Sequence, residues 1–285
     1  MILVFGKTGQ VGRELQAFRD IKTLDRAQAD LSNPQTCENV IKFYKPRAVI
    51  NAAAFTSVDK AETQEDLASI INGIAPVAMA AACAALDIPI VHISSDYIFD
   101  GTGTNPWRIS DIPNPRNIYG KSKLQGEEGI KALQCKYAIL RTSWVVSAYG
   151  NNFVKSMLCA SATKGILNVV NDQIGGPTCA RDIARTCLLV AEKLVNDPNK
   201  SGVYHYSGQP DVSWCQFANA IFEQAGRSTR ANPIATSDFT TPAQRPSNSR
   251  LDCARIQEVF DIPRPYWRDG LKEILQDLWG DNDGT

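Results

Sequence analysis

The chain opens on Ile2-Leu3-Val4-Phe5, a short unbroken apolar run, and passes straight into Gly6-Lys7-Thr8-Gly9-Gln10-Val11-Gly12. Apolar residues without polar alternation suit a strand buried on both faces, as in a parallel sheet. A helix to about Phe18 is expected next. Strand, glycine-rich turn and helix in that order constrain the fold more than any other stretch. The Gly6, Gly9 and Gly12 spacing lets backbone approach a pyrophosphate, and the helix N-terminus, where Gln10 and Val11 fall, offers unpaired N–H groups and a positive dipole end.

The pattern repeats down the chain. Ile21 to Asp25 reads as a second strand ending in an acid 19 positions after Gly6, close to the spacing of a carboxylate that binds adenosine ribose hydroxyls. Arg26 follows and could meet a 2′-phosphate, so NADH and NADPH both stay open. Asp30-Leu31 falls where an adenine edge would be held, and equally where a helix entry is expected before Ser32-Asn33-Pro34. A helix over 34–44 leads to a strand over 48–51, followed by Ala52-Ala53-Ala54-Phe55-Thr56, whose small residues suit close packing of a ligand or of a neighbouring helix. A helix over 65–86, a strand over 89–95 ending in Ser94-Ser95-Asp96, a helix carrying Tyr119 and Lys123, and a strand over 137–141 complete a βαβ series. His92, inside its strand, reads as a core residue. The expected class is α/β, a Rossmann-type doubly wound parallel sheet with a smaller C-terminal α/β substrate lobe. Residues 1–150 make the NAD(P)-binding domain and residues 151–285 mainly the substrate lobe, with later segments free to return to the sheet. Gly280 to Thr285 are expected to fray.

Bulk composition excludes several functions. Lys+Arg equals Asp+Glu, so nucleic acid is not an expected partner. Eight cysteines without a Cys-x-x-Cys read as free thiols in a reducing compartment, hence a cytoplasmic location. Two histidines exclude a His-rich metal site. No membrane span is expected; Ala75 to Leu86, the nearest approach, is too short.

Tyr119 and Lys123 stand four apart, so on a helix they share a face. An ammonium beside a phenol would draw the phenol's pKa down toward neutrality. Alone the pair is a weak signal. After a glycine-rich turn, a strand-two carboxylate and a strand-four hydroxyl at Ser95, it becomes the expected chemical centre.

That constellation resembles the extended short-chain dehydrogenase/reductase superfamily. Asn51-Ala52-Ala53-Ala54, Val58-Asp59-Lys60-Ala61-Glu62, Ser95-Asp96-Tyr97, Tyr119-Gly120-Lys121-Ser122-Lys123, Arg141-Thr142-Ser143-Trp144-Val145 and Arg245-Pro246-x-Asn248-Ser249-Arg250-Leu251 narrow the resemblance to the dTDP-4-dehydrorhamnose reductase family, over nearly the whole chain. The resemblance implies reduction of a dTDP-linked 4-keto-6-deoxy sugar by NADPH or NADH. It makes Tyr119 the general acid, Lys123 its partner at the nicotinamide ribose, and Ser95 (where the family usually carries Thr) a donor to the carbonyl. Gly9, Gln10, Val11, Asp25, Asp30, Leu31, Ala54, Phe55, Thr56 and Lys123 match cofactor positions. Ser95, Asp96, Tyr119 and Trp144 match sugar positions. Trp144 could instead plug the junction between lobes. Arg245 and Arg250 could pair with phosphates or stand as solvated loop charges.

Some family members hold Mg²⁺ between glutamates at a dimer interface. Glu14 matches one such position, but Arg181 falls where another glutamate is expected, and a cation there repels a metal. No metal is therefore expected, Glu14 is read as a surface carboxylate, and the chain as a monomer or weak homodimer. Two other readings share the residues: an NDP-sugar epimerase or dehydratase, disfavoured because Asp96 is followed by Tyr97 rather than Glu, and a non-catalytic subunit like the regulatory subunit of methionine adenosyltransferase, disfavoured by the retained Ser95, Tyr119 and Lys123.

Overall fold

The computed structural model describes residues 1–280. Gly280 closes the last helix, Trp267–Gly280; the expectation of fraying beyond it concerns residues outside the described ones.

Five strands of the first half, β1 (Ile2–Phe5), β2 (Ile21–Leu24), β3 (Ala48–Asn51), β4 (Ile90–Ser95) and β5 (Tyr137–Thr142), lie in one sheet with a sixth, Gly202–His205. The order is β2-β1-β3-β4-β5-sixth strand, and every pairing is parallel. Alternation along β1 explains the two layers. Ile2 and Val4 face one core with Val91, Leu140 and the helix Ala180–Asn196. Leu3 and Phe5 face the other with Val49, Ile139 and the helices Pro34–Tyr44 and Ala75–Ala85. The sheet is therefore completed from the second half of the chain: residues 180–205 supply a covering helix and an edge strand.

The remaining segments form the smaller lobe around its own core of Val154, Phe217, Ile221, Trp267 and Leu271. Its strands are short and paired in small sheets, among them Ile166–Val170 with Arg230–Ile234 and Ile174–Gly175 with Asn248–Ser249.

The segment 65–85 corrects one expectation. It is a continuous 21-residue helix that by length and composition is apolar enough to cross a membrane, because the run extends N-terminal of Ala75. Half of its apolar window is buried inside the fold. A π-helical turn, Ile70–Ile74, interrupts it. There Asn72 is released sideways: its Oδ1 accepts from Phe55 N at 2.8 Å, while its Nδ2 donates to Phe55 O at 3.1 Å and to Ser122 Oγ at 3.0 Å. Such turns recur where a helix must present a side chain.

Between the Tyr119 helix, Ile118–Lys131, and β5 lies a buried ion pair. Arg141, 2% exposed, donates to Glu127, 0% exposed, through Nε at 3.1 Å and Nη2 at 2.7 Å. Its third nitrogen, Nη1, stands 3.3 Å from His205 Nε2, and Phe99 covers the guanidinium at 5.3 Å. Removing one partner strands the other charge, which costs about 3–5 kcal/mol, whereas replacing both with apolar residues of like volume is far cheaper. Glu127→Ala is therefore expected to lower the urea-unfolding free energy by that amount, and Glu127→Leu with Arg141→Met to recover most of it. A single-variant loss under about 1 kcal/mol would show the pair to be incidental.

Candidate active site

At β1 and β3 the strand order reverses, and beyond their C-terminal ends opens a crevice of about 890 Å³. One wall is built by close backbone approach. Gly6 has φ +101°, and a Cβ there would stand 2.8 Å from Ala53 N. Gly9, Gln10 and Val11 follow at the N-terminus of the first helix, Gln10–Leu15. Asp25, Arg26, Asp30 and Leu31 close one end, and Ala54, Phe55 and Thr56 the side. Gly12 does not line the crevice. A Cβ there would stand 1.9 Å from Gly6 O, so its part is to seat the helix on the turn.

The opposite wall carries Ser95, Asp96, Tyr119, Lys123 and Trp144. Ser95 ends β4; its Oγ accepts from Tyr97 N at 3.2 Å and donates to Asp96 Oδ1 at 3.0 Å. Asn117 caps the Tyr119 helix, accepting from Gly120 N at 2.8 Å. Tyr119 meets Tyr97 edge-on at 5.5 Å. Lys123, 1% exposed, donates to Ile93 O at 2.6 Å. Trp144 takes a left-handed backbone, φ +49°, and stacks on Trp214 at 3.5 Å. Backbone strain of that kind is kept where a side chain must be aimed. Trp144 thus lines the crevice and also plugs the lobe junction. Trp214, from the second lobe, lines the crevice too; no motif singles it out in the sequence.

Three expectations are corrected. Arg245 is not a crevice residue: its Nη2 pairs with Asp59 at 2.8 Å and its Nη1 donates to Ala243 O at 3.2 Å. Arg250 donates to Asn248 Oδ1 at 2.9 Å. Arg245 thus ties the C-terminal loop to the helix Val58–Ala61. The loop meets the start of the Tyr119 helix through Asn117, whose Nδ2 donates to Gln244 O at 2.8 Å, and there Glu62 accepts from Ile118 N at 2.9 Å. Glu14 is not a surface carboxylate. It is 5% exposed and accepts from Arg181 Nε at 3.0 Å and Ser147 Oγ at 3.3 Å. Arg181 reaches on to Glu273 at 3.1 Å and to Asp277. A cation of the protein itself gathers these acids, and among the described residues no group of three or more His, Cys, Asp and Glu side chains is placed to hold a metal ion. Lastly, the phenol of Tyr119 is not drawn toward neutrality. Burial pushes it up to about 12, with a Ser95 hydrogen bond pulling the other way, while burial pushes Lys123 down to about 8 against the pull of Glu127. Tyr119 therefore keeps its proton at neutral pH, which suits an acid.

A hydroxyl, a phenol and an amine facing a glycine-rich turn, under a second lobe, mark an oxidoreductase of the extended short-chain dehydrogenase/reductase class. The family model described as the RmlD substrate binding domain matches residues 1–279. The dTDP-4-dehydrorhamnose reductase of Aggregatibacter actinomycetemcomitans is 41% identical over 96% of this chain and 97% of its own. The structure of a dTDP-4-dehydrorhamnose reductase from Clostridium acetobutylicum superposes with a TM-score of 0.90 at 38% identity, covering 98% of this chain and 99% of that one. That of the Bacillus anthracis reductase in complex with NADP gives 0.90 at 34% identity, over 97% and 98%. The chain belongs to the dTDP-4-dehydrorhamnose reductase family.

Asp96, 2% exposed, has an electrostatic cost that can be measured. Burial raises its pKa from 3.8 to about 6, against hydrogen bonds that favour the carboxylate. The folded state thus holds this proton more tightly than the unfolded chain. The stability so contributed is whole below about pH 3.8 and is lost as pH rises through 6. Asp96→Asn is expected to raise unfolding stability at pH 7.5 by about 3 kcal/mol and to change it little at pH 4. An equal effect at both pH values would contradict the assignment.

Proposed function

We propose that the chain transfers a hydride from NADPH or NADH to the C4 keto group of dTDP-4-dehydro-6-deoxy-L-mannose, giving dTDP-L-rhamnose, in the cytoplasm. The observation that carries this reading is the gathering of Ser95, Tyr119 and Lys123 on the wall facing the glycine-rich turn. The full-length relatives named for this reduction support the choice of sugar, and the NADP complex of one of them supports the cofactor.

The glycine-rich wall suits a dinucleotide: a Cβ at Gly6 would stand 2.8 Å from Ala53 N, so glycine alone lets the turn lie this close to the end of β3. Gly9, Gln10 and Val11 would take the pyrophosphate on helix N–H groups. Asp25 would hold the adenosine ribose, with Asp30 and Leu31 at the adenine edge. Arg26, whose Nε lies 3.1 Å from Asp30, remains within reach of a 2′-phosphate, so both cofactors are expected to serve. A reduced nicotinamide bound there supplies the hydride.

The chain's own residues then handle the oxygen. Ser95 Oγ and the Tyr119 hydroxyl would donate to the carbonyl oxygen. As negative charge grows on it, Tyr119 would give up its proton. Lys123 would orient the ribose beside it and stabilise the phenolate left behind. Donors aimed at charge that develops only in the transition state lower the barrier directly. Trp144 would offer an apolar face to the deoxysugar's C–H groups. Arg181 pairs with Glu14, so no metal is expected between carboxylates at that position.

Oxidation of NADPH or NADH, followed at 340 nm after adding the dTDP-4-keto sugar, tests the reading; no oxidation with either cofactor sinks it. Tyr119→Phe is expected to keep cofactor binding and lose about 10²–10⁴-fold in kcat. Prolonged EDTA treatment is expected to leave kcat unchanged, and a loss restored by Mg²⁺ would reverse the conclusion drawn from Arg181.

A further inference from the structure

Beneath Lys123 runs a row of buried polar groups that the chemistry above does not use. His92, 0% exposed on β4, stands with Nε2 3.2 Å from Lys123 Nζ and Nδ1 3.1 Å from Asn51 Nδ2. Asn51, also 0% exposed, ends β3. The direction of every bond in the row is set at its far end. Ala53 N lies 3.1 Å from Asn51 Oδ1, and a backbone N–H can only donate. The amide oxygen therefore faces Ala53, the amide NH₂ faces the imidazole, and Nδ1 accepts. A neutral imidazole has a single N–H, which is then on Nε2 and points at Lys123. An ammonium has three donors and no lone pair to receive it; a neutral amine has one.

We propose that Asn51, His92 and Lys123 form a two-state row in which the charge on Lys123 sets the tautomer of His92 and, through Asn51, the bonding of the Ala53 N–H beside the nucleotide wall. With Lys123 neutral, Ala53 N–H is tied to Asn51 and His92 carries its proton on Nε2. With Lys123 charged, the row reverses: His92 accepts at Nε2 and donates from Nδ1, Asn51 turns its amide over, and Ala53 N–H is freed toward the crevice. The net change is uptake of one proton, the Nε2 proton passing to Nζ and one from water ending on Nδ1. His92 is thus a positioning residue for Lys123, and its own protonation is excluded by burial and by Lys123, which hold its pKa well below the usual range.

The groups around Lys123 leave it free to change. Glu127, one turn along the same helix, favours the ammonium, but both its oxygens are taken by Arg141 of β5. Tyr119, one turn the other way, keeps its proton. Ile93 O accepts from Nζ in either state.

The proposal takes Lys123 as the nucleotide-contact lysine of the reductase reading, but its test needs no turnover. The chain has two histidines, and the second is a built-in reference. His205 Nδ1 lies 3.0 Å from Trp107 O and so must donate, while its Nε2 accepts from Arg141. The full-length protein, labelled with ¹⁵N-histidine and free of nucleotide, is examined by NMR at about pH 9.5 and about pH 6, with His92→Phe assigning the signals. His92 is expected as the Nε2–H tautomer at high pH, opposite to His205, and as the Nδ1–H tautomer at low pH, with His205 unchanged. Asn51→Asp offers Nδ1 only acceptors, and is expected to hold the Nδ1–H form at both pH values. A His92 tautomer that does not move with pH in the unaltered chain, or that still switches in Asn51→Asp, overturns the proposal. Adding NADP⁺ to the same samples separates the two readings: no binding counts against the reductase assignment and leaves the tautomer result standing.

Discussion

The Tyr119 helix lies against the C-terminal end of β4 with no space between them. A Cβ on Gly120 would stand 2.1 Å from the Tyr97 carbonyl oxygen, and Lys123 Nζ reaches 2.6 Å to Ile93 O. That contact brings Tyr119 beside Ser95, and with it the chemistry. Much of the surrounding structure holds the helix in this place. Asn117 caps its start, Glu62 accepts from Ile118 N, Asn72 reaches Ser122 from a π-helical turn, and the Arg141–Glu127 pair locks its last turns to β5. The same helix thus carries the acid, its amine neighbour and the buried carboxylate in steps of four residues.

The two lobes meet over the crevice through a few specific contacts. Gln10 Oε1, from the glycine-rich turn, accepts from Asn152 Nδ2 at 3.1 Å. Arg181 joins the first helix to the last through Glu14 and Asp277. Trp144 and Trp214 stack where the sugar would enter. Substrate-side residues are therefore held by the packing that completes the sheet, since residues 180–205 belong to both tasks.

The crevice wall that bears the glycine-rich turn is legible from the sequence because each of its parts is a local signal. Gly6, Gly9, the acid at Asp25 and the small residues before Phe55 each follow a strand end at the expected spacing. Tyr119 and Lys123 were legible as a pair only through that context. What stayed hidden depends on partners distant in sequence. Arg245 reads as an anion ligand until Asp59, 186 positions away, is seen beside it. Glu14 reads as exposed until Arg181 closes over it. Trp214 carries no motif, and its place is fixed by a stack with Trp144. The pKa of Tyr119 is not legible in sequence because a pair four apart indicates a shared face and says nothing of how dry that face is; burial raises the phenol's pKa against the Ser95 hydrogen bond. His92 reads as core, which is where it lies, but its two ring nitrogens bridge β3 to Lys123, and burial pattern alone does not show that.

The proposed reaction is direct transfer of hydride from a nicotinamide on the glycine wall to a carbonyl carbon facing Tyr119. Reduced nicotinamide cofactor deuterated at C4 on the transferred face, turned over with the dTDP-4-keto sugar, tests it by NMR of the product. One deuterium at sugar C4 and none released to water is the expected result. Deuterium lost to solvent, or found at a ring carbon other than C4, would contradict it.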